Sequence, residues 1–144
     1  MKVIYKRLSS TAKTPQRMTL HASGFDLFAD LDKAIKMAPG EIHAIPTGIA
    51  LEIPEGFEAQ IRPRSGLALK LGLGIMNSPG TIDCDYRGGI KVILINLGKA
   101  VVTIEPRMRV GQMIFSPVTI PELVESDTLK ESERQSGGFG HTGQ

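Results

Sequence analysis

Turn-forming residues punctuate this chain at intervals of roughly ten residues, the spacing of an all-β sandwich or barrel. They include Pro39-Gly40, Pro46, Pro54-Glu55-Gly56, Pro63, Pro79-Gly80, Gly88-Gly89, Gly98, Pro106 and Pro117. Short runs rich in β-branched residues lie between them: Ile49 to Ile53, Phe57 to Ile61, Ile90 to Ile95, Val101 to Ile104 and Gln112 to Phe115. The run Val92-Ile93-Leu94-Ile95 is apolar without alternation, which predicts a strand covered on both faces. In a chain of 144 residues, sheet packing within an oligomer would supply that cover. Helical signal is thin. Ala29 to Met37 carries some helical pattern and stops at Pro39-Gly40. Ser65 to Leu71 is predicted as one short helix, with Ser65 as its N-cap.

Composition removes several function classes. The formal net charge is only +2, so overall charge gives no reason to expect a nucleic-acid polymer as partner. The single cysteine, Cys84, excludes an intrachain disulfide and a multi-cysteine metal site. A lone thiol suits a reducing cytoplasm. The first residues mix charged with apolar side chains and lack a signal-peptide core. No run approaches the roughly 18 apolar residues of a membrane span. The expectation is a cytoplasmic protein that binds neither membrane nor nucleic acid.

After Pro121 the composition changes. Glu122 to Glu133 is mostly polar and reads as a linker or mobile arm. It leads to Gly137-Gly138-Phe139-Gly140-His141-Thr142-Gly143, where four glycines in seven residues cannot hold a strand or helix alone. Residues 1–121 are therefore read as a β domain and 122–144 as linker and glycine-rich arm.

Five segments could carry chemistry, though each alone has an ordinary explanation. Pro63-Arg64-Ser65-Gly66 offers a planar guanidinium, a hydroxyl and unobstructed backbone N–H groups, which together suit an anion. It could equally be a plain strand-to-helix turn. Gly80-Thr81-Ile82-Asp83-Cys84-Asp85-Tyr86-Arg87-Gly88-Gly89 reads as a hairpin. It brings two carboxylates and a phenol together near Asn77. A carboxylate there could activate water, and the Tyr86 ring could pack on a sugar or base. The arm carries Phe139 without apolar neighbours, suited to stacking on a flat ligand, while Arg134 and Thr142 suit phosphate. Arg107-Met108-Arg109-Val110-Gly111-Gln112 pairs basic residues with an amide. Ala22-Ser23-Gly24-Phe25-Asp26-Leu27 reads as a turn.

In this order on one short β-rich chain, the five segments resemble the five motifs of the trimeric dUTPase family, from Ala22 to Gly143. GTIDCDYRGG and GGFGHTG are the most specific matches. The resemblance implies a jelly-roll β-barrel that forms a homotrimer with active sites shared between subunits. It implies hydrolysis of dUTP to dUMP and pyrophosphate, which limits uracil in DNA and supplies dUMP for dTMP synthesis. By position, Asp83 matches the carboxylate that deprotonates the attacking water. Tyr86 would lie under the deoxyribose. Asn77 and the backbone around Thr81 and Ile82 would read the uracil edge, with Lys91 beside them contacting through its main chain. Arg64, Ser65, Gly66 and Gln112 would hold the phosphates, and Arg134 would reach the γ-phosphate. Phe139 would stack on the uracil while Gly140, His141 and Thr142 close over the phosphates. Mg²⁺ would bind mainly through the triphosphate and water, with Asp26 in an indirect, water-mediated role at the metal.

Two other readings share these residues: a dCTP deaminase of the same superfamily, and a catalytically silent nucleotide sensor. Three positions depart from the family pattern. Gly89 stands where Glu is usual, Gln135 follows Arg134 in place of Gly, and His141 replaces a common Ser. There is also a geometric demand. On a regular strand Asp83 and Asp85 share a face while Tyr86 points away. For Asp83 and Tyr86 to line one pocket, the chain must bend or bulge between them.

Overall fold

The computed structural model describes residues 1–137. Eleven strands and one helix form among them, in the order β1 (Ile4–Arg7), β2 (Phe25–Phe28), β3 (Ile35–Met37), β4 (Ile42–Pro46), β5 (Ile49–Glu52), β6 (Phe57–Arg62), α1 (Ser65–Leu71), β7 (Leu73–Ile75), β8 (Gly80–Ile82), β9 (Lys91–Asn96), β10 (Val102–Ile104) and β11 (Arg109–Pro117). Every pairing is antiparallel. The strands make a four-stranded sheet, β2-β11-β6-β8, a three-stranded sheet, β4-β9-β7, and the pairs β1-β5 and β10-β3.

The fully buried side chains come from all four groups. Leu27, Met37, Ile45, Ile49, Leu94 and Ile104 lie on β2, β3, β4, β5, β9 and β10. The four groups therefore pack around one apolar core, a jelly-roll-like arrangement. Residues of β9 alternate. Val92, Leu94 and Asn96 are buried, and Ile93 and Ile95 on the opposite face are half-covered within one chain. Asn96 is tolerated in the core because its amide donates to the carbonyls of Met37 (2.9 Å) and Ala100 (2.8 Å) and accepts from the Gly98 N–H (2.9 Å). Satisfied in this way, a buried amide costs little.

Two local expectations are corrected. Ala29 to Met37 is not helical. Its backbone bonds distant segments instead, with the Ala29 N–H donating to the Met108 carbonyl and the Asp30 N–H to that of Pro46. Ile35 to Met37 then pairs with β10. Tertiary pairing overrides a weak helical pattern. The helix α1 forms where expected, but its N-cap is Arg64, with no side-chain cap bond, and Ser65 is its first residue. Past β11 no strand or helix forms among the described residues, and residues 117–136 are exposed throughout. No helix among the described residues is long and apolar enough to cross a membrane.

The turn before β11 holds a strained residue. The Met108 N–H donates to the Glu105 carbonyl at 3.1 Å, with Pro106 second and Arg107 third at φ +66°. The third position of such a turn asks for glycine, since a side chain in the left-handed region costs about 1–2 kcal/mol. Glycine returns part of that gain through the entropy of the unfolded chain. Arg107→Gly should raise stability by up to about 1 kcal/mol, read as a higher urea midpoint at unchanged slope.

Candidate active site

The strand β8 pairs with β6, with Thr81 opposite Gln60 and Ile82 opposite Ala59. The strand β9 pairs with β4 and β7 instead. The expected hairpin is thus not a ladder. Residues 83–90 cross from one sheet to another, because the available edges of β6, β4 and β7 take the hydrogen bonds that β8 and β9 would otherwise exchange. The crossing leaves a gap between sheets, and the gap is the candidate site.

The crossing begins with a tight turn. The Tyr86 N–H donates to the Asp83 carbonyl at 3.2 Å, which supplies the required bend. Reversing the chain over these residues puts both side chains on one cavity, which a straight strand could not do. Arg87 secures the turn by donating from one guanidinium nitrogen to the carbonyls of Cys84 (2.6 Å) and Tyr86 (3.2 Å). At the far end, the Ile90 carbonyl accepts from the backbone N–H and the hydroxyl of buried Thr47.

The cavity measures about 360 Å³. Asn77, Thr81, Ile82, Asp83, Tyr86 and Lys91 all line it. Gly89, Ile90, Ala44 and Ile93 complete the wall. Ile93 is one of the β9 residues turned away from the core, so the second apolar face of that strand partly serves the site. Gly80 is buried beside Asn77, and a Cβ there would stand 3.3 Å from the Asn77 amide nitrogen. The glycine lets the amide approach the strand. Gly89 has a local explanation as well. A side chain there would meet the Leu8 methyl at 2.9 Å, so Leu8, just past β1, fills the space a larger residue would need.

A second cluster forms elsewhere on the barrel. Asp26 is buried in β2, and its side chain is 5% exposed. Its Oδ1 pairs with Arg64 Nε at 3.3 Å and its Oδ2 with an Arg109 terminal nitrogen at 3.1 Å. Gln112 on β11 stands opposite both Asp26 and Arg62. Gly24 is buried, and a Cβ on it would come within 2.5 Å of Gln112 Cγ. Gly24 and Asp26 are therefore not a turn. One makes room for Gln112 and the other anchors two arginines. Ser65 and Gly66 stand exposed on the first turn of α1. The cluster gathers Arg64, Gln112 and Asp26, but none of these residues, nor Ser65 or Gly66, lines the Asp83 cavity. Any water-mediated contact of Asp26 to a metal would have to be made from between the two guanidiniums.

Sequence reasoning assigned no role to Arg109 or Arg87. The register of β11 against β2 was the signal for Arg109, but it appears only once the strands are paired. Arg134 is exposed in a turn and donates from Nε to the Gly137 carbonyl at 2.8 Å. Phe139, Gly140, His141 and Thr142 lie outside the described residues. Among the described residues, no group of three or more His, Cys, Asp or Glu side chains is placed to hold a metal ion.

Comparison with known proteins identifies the family. Residues 10–143 match the family model described as dUTPase. A deoxyuridine 5'-triphosphate nucleotidohydrolase of Hydrogenobaculum sp. is 54% identical over 143 residues, covering 99% of each chain. One of Chlamydia pneumoniae is 52% identical over 141 residues, covering 97% of each. Among solved structures, a Staphylococcus bacteriophage 80alpha dUTPase mutant with dUpNHpp superposes with a TM-score of 0.90 at 26% identity, covering 99% of each chain. With a family match over nearly its full length and relatives above half identity, this chain belongs to the dUTPase family.

Proposed function

We propose that this dUTP diphosphatase hydrolyses dUTP to dUMP and pyrophosphate in the Asp83 cavity, with the phosphate-binding residues supplied across a subunit boundary. The observation that carries the reading is the convergence of Asp83, Tyr86, Asn77, Thr81, Ile82 and Lys91 on one cavity of about 360 Å³. That volume suits a nucleoside. The phage relative solved with dUpNHpp supports the same substrate class.

The Asp83 carboxylate takes a proton from a water molecule as its oxygen attacks the α-phosphorus. The bond from that phosphorus to the bridging oxygen breaks, and pyrophosphate leaves with the electron pair. Tyr86 packs under the deoxyribose, where a ribose 2′-hydroxyl would clash. Asn77 and the backbone of Thr81 and Ile82 read the uracil edge, with the Lys91 main chain beside them. A wrong base would leave these polar groups unpaired, which is an effective source of discrimination. Arg64, Ser65, Gly66 and Gln112 hold the phosphates. Arg134 reaches the γ-phosphate, and Phe139, Gly140, His141 and Thr142 close the site.

The donor set fits Mg²⁺ carried on the substrate. The described residues offer no cage of carboxylates, and Mg²⁺ commonly enters on phosphate oxygens with its waters. Bound there, it would neutralise charge along the triphosphate. Residues 1–121 act as the barrel and 122–144 as the arm in a homotrimer with shared sites. The lining of the Asp83 cavity supports this, since among the described residues it includes none of Arg64, Ser65, Gly66 and Gln112. A cytoplasmic location belongs to the same proposal and rests on the lone thiol of Cys84.

Four measurements test the reading. Purified protein with Mg²⁺ should release pyrophosphate from dUTP and largely spare dTTP and UTP. Asp83→Asn should lower kcat about 10²–10⁴-fold while nucleotide binding persists, and undiminished turnover would sink the assigned mechanism. Sharing of sites has its own test. Asp83→Asn chains and chains cut before Arg134 should each be nearly inactive, yet regain partial turnover when refolded together. No recovery in the mixture would contradict a site built from different subunits. Finally, Asp26→Asn should cost about 2 kcal/mol of stability, because it leaves two partly buried guanidiniums without their counter-charge. It should also raise KM for dUTP by loosening Arg64, as read in urea titration and steady-state kinetics.

A further inference from the structure

Glycine is used at position 88 for a reason the backbone does not supply. Neither Gly88 nor Gly89 has a positive φ, so the φ angle at neither position calls for glycine. Space is what forbids a side chain. A Cβ on Gly88 would stand 2.5 Å from Cζ and 3.0 Å from Cε2 of Tyr86, and nearer still to the phenolic oxygen. The ring is folded back over the spot where a side chain at 88 would begin. Its hydroxyl then reaches the Gly89 carbonyl at 3.4 Å. Tyr86 is 45% exposed, so it is not wedged into the core and can swing away if pushed.

We propose that Gly88 is a specificity-determining position, whose missing side chain sets where the Tyr86 ring stands and so which sugar the cavity admits. The inference rests on the reading of Tyr86 as the platform under the deoxyribose. Gly88 acts through Tyr86 and is a positioning residue. A methyl group at 88 opposes the free end of an exposed side chain, not backbone or core. The fold can therefore accommodate it while the ring cannot keep its place. Stability and sugar selectivity should separate in one substitution, which a merely structural glycine would not allow.

The test is a double-mutant cycle on the ratio of kcat/KM for dUTP to that for UTP. Gly88→Ala should lower this ratio about tenfold or more. In a Tyr86→Ala chain, adding Gly88→Ala should lower it no further, because nothing remains for the methyl to displace. If Gly88→Ala alone failed to fold while the double variant folded, that rescue would itself locate the clash at Tyr86. An unchanged ratio in Gly88→Ala, with a lowered one in Tyr86→Ala, would overturn the proposal. So would an equal fall in both backgrounds, or a double variant that failed to fold where Tyr86→Ala folds. An unchanged ratio in Tyr86→Ala would instead remove the sugar-platform reading on which the proposal stands.

Discussion

One buried carboxylate fixes the geometry on which the Arg64 side of this barrel depends. Asp26 lies in β2 with almost no solvent contact. An isolated ionised carboxylate in that position would be strongly unfavourable. Arg64, at the junction of β6 and α1, and Arg109, at the start of β11, each take one of its oxygens. Because the carboxylate needs both partners, three segments distant in sequence must arrive together. Such an arrangement adds little net stability, since desolvation offsets much of the attraction. Its yield is position. A guanidinium engaged through Nε still has terminal N–H groups that can donate to a second anion. Arg64 is thereby presented in a defined orientation, where a free surface arginine would sample many.

The other half of the chemistry depends on a failure of pairing. Had β8 and β9 zipped together, Asp83 and Tyr86 would have faced opposite sides of a ladder. Instead β8 finishes one sheet and β9 sits in the middle of another. The crossing between them is held at one end by the Asp83-to-Tyr86 turn and at the other by Thr47 on the Ile90 carbonyl. Between those fixed points the backbone is free of ladder constraints and can line a cavity. Glycines act here mainly by absence. Gly80 admits the Asn77 amide, Gly88 admits the Tyr86 ring, and Gly89 admits Leu8.

What could be read from the sequence follows from where each signal resides. Strands β5, β6, β9, β10 and the middle of β11 appeared nearly in place because turn residues bound short β-branched runs, and α1 appeared over its range although its cap is Arg64 and not Ser65. Strands β1, β2, β3, β4, β7 and β8 did not. They are short, and Lys6, Asp26, Lys36, His43 and Thr81 interrupt their apolar pattern. Their identity is set by partners, as when Ile35 to Met37 is claimed by β10 and not by a helix. The six cavity residues were legible only as a motif. Spacing alone could not choose Asp83 over Asp85, and it demanded a bend without saying which kind. Arg109 was illegible because its role exists only in the register of β11 against β2.

Three features of the single chain make sense together if sites are shared between subunits. Ile93 and Ile95 keep the outer face of β9 apolar, yet one chain covers them only in part. The Arg64 cluster and the Asp83 cavity are both well formed, yet among the described residues the cavity lining does not include Arg64. Beyond β11, Leu123, Val124 and Leu129 are among the most exposed apolar side chains described. Scattered apolar exposure is ordinary. Exposure along a segment that leaves the barrel and leads toward Arg134 and Phe139 is different, because that segment has no core of its own to join. A neighbouring barrel would supply cover for β9, a phosphate cluster for the cavity and a surface for the arm. Each subunit would then spend apolar and charged groups that are poorly used alone on completing a site in the next.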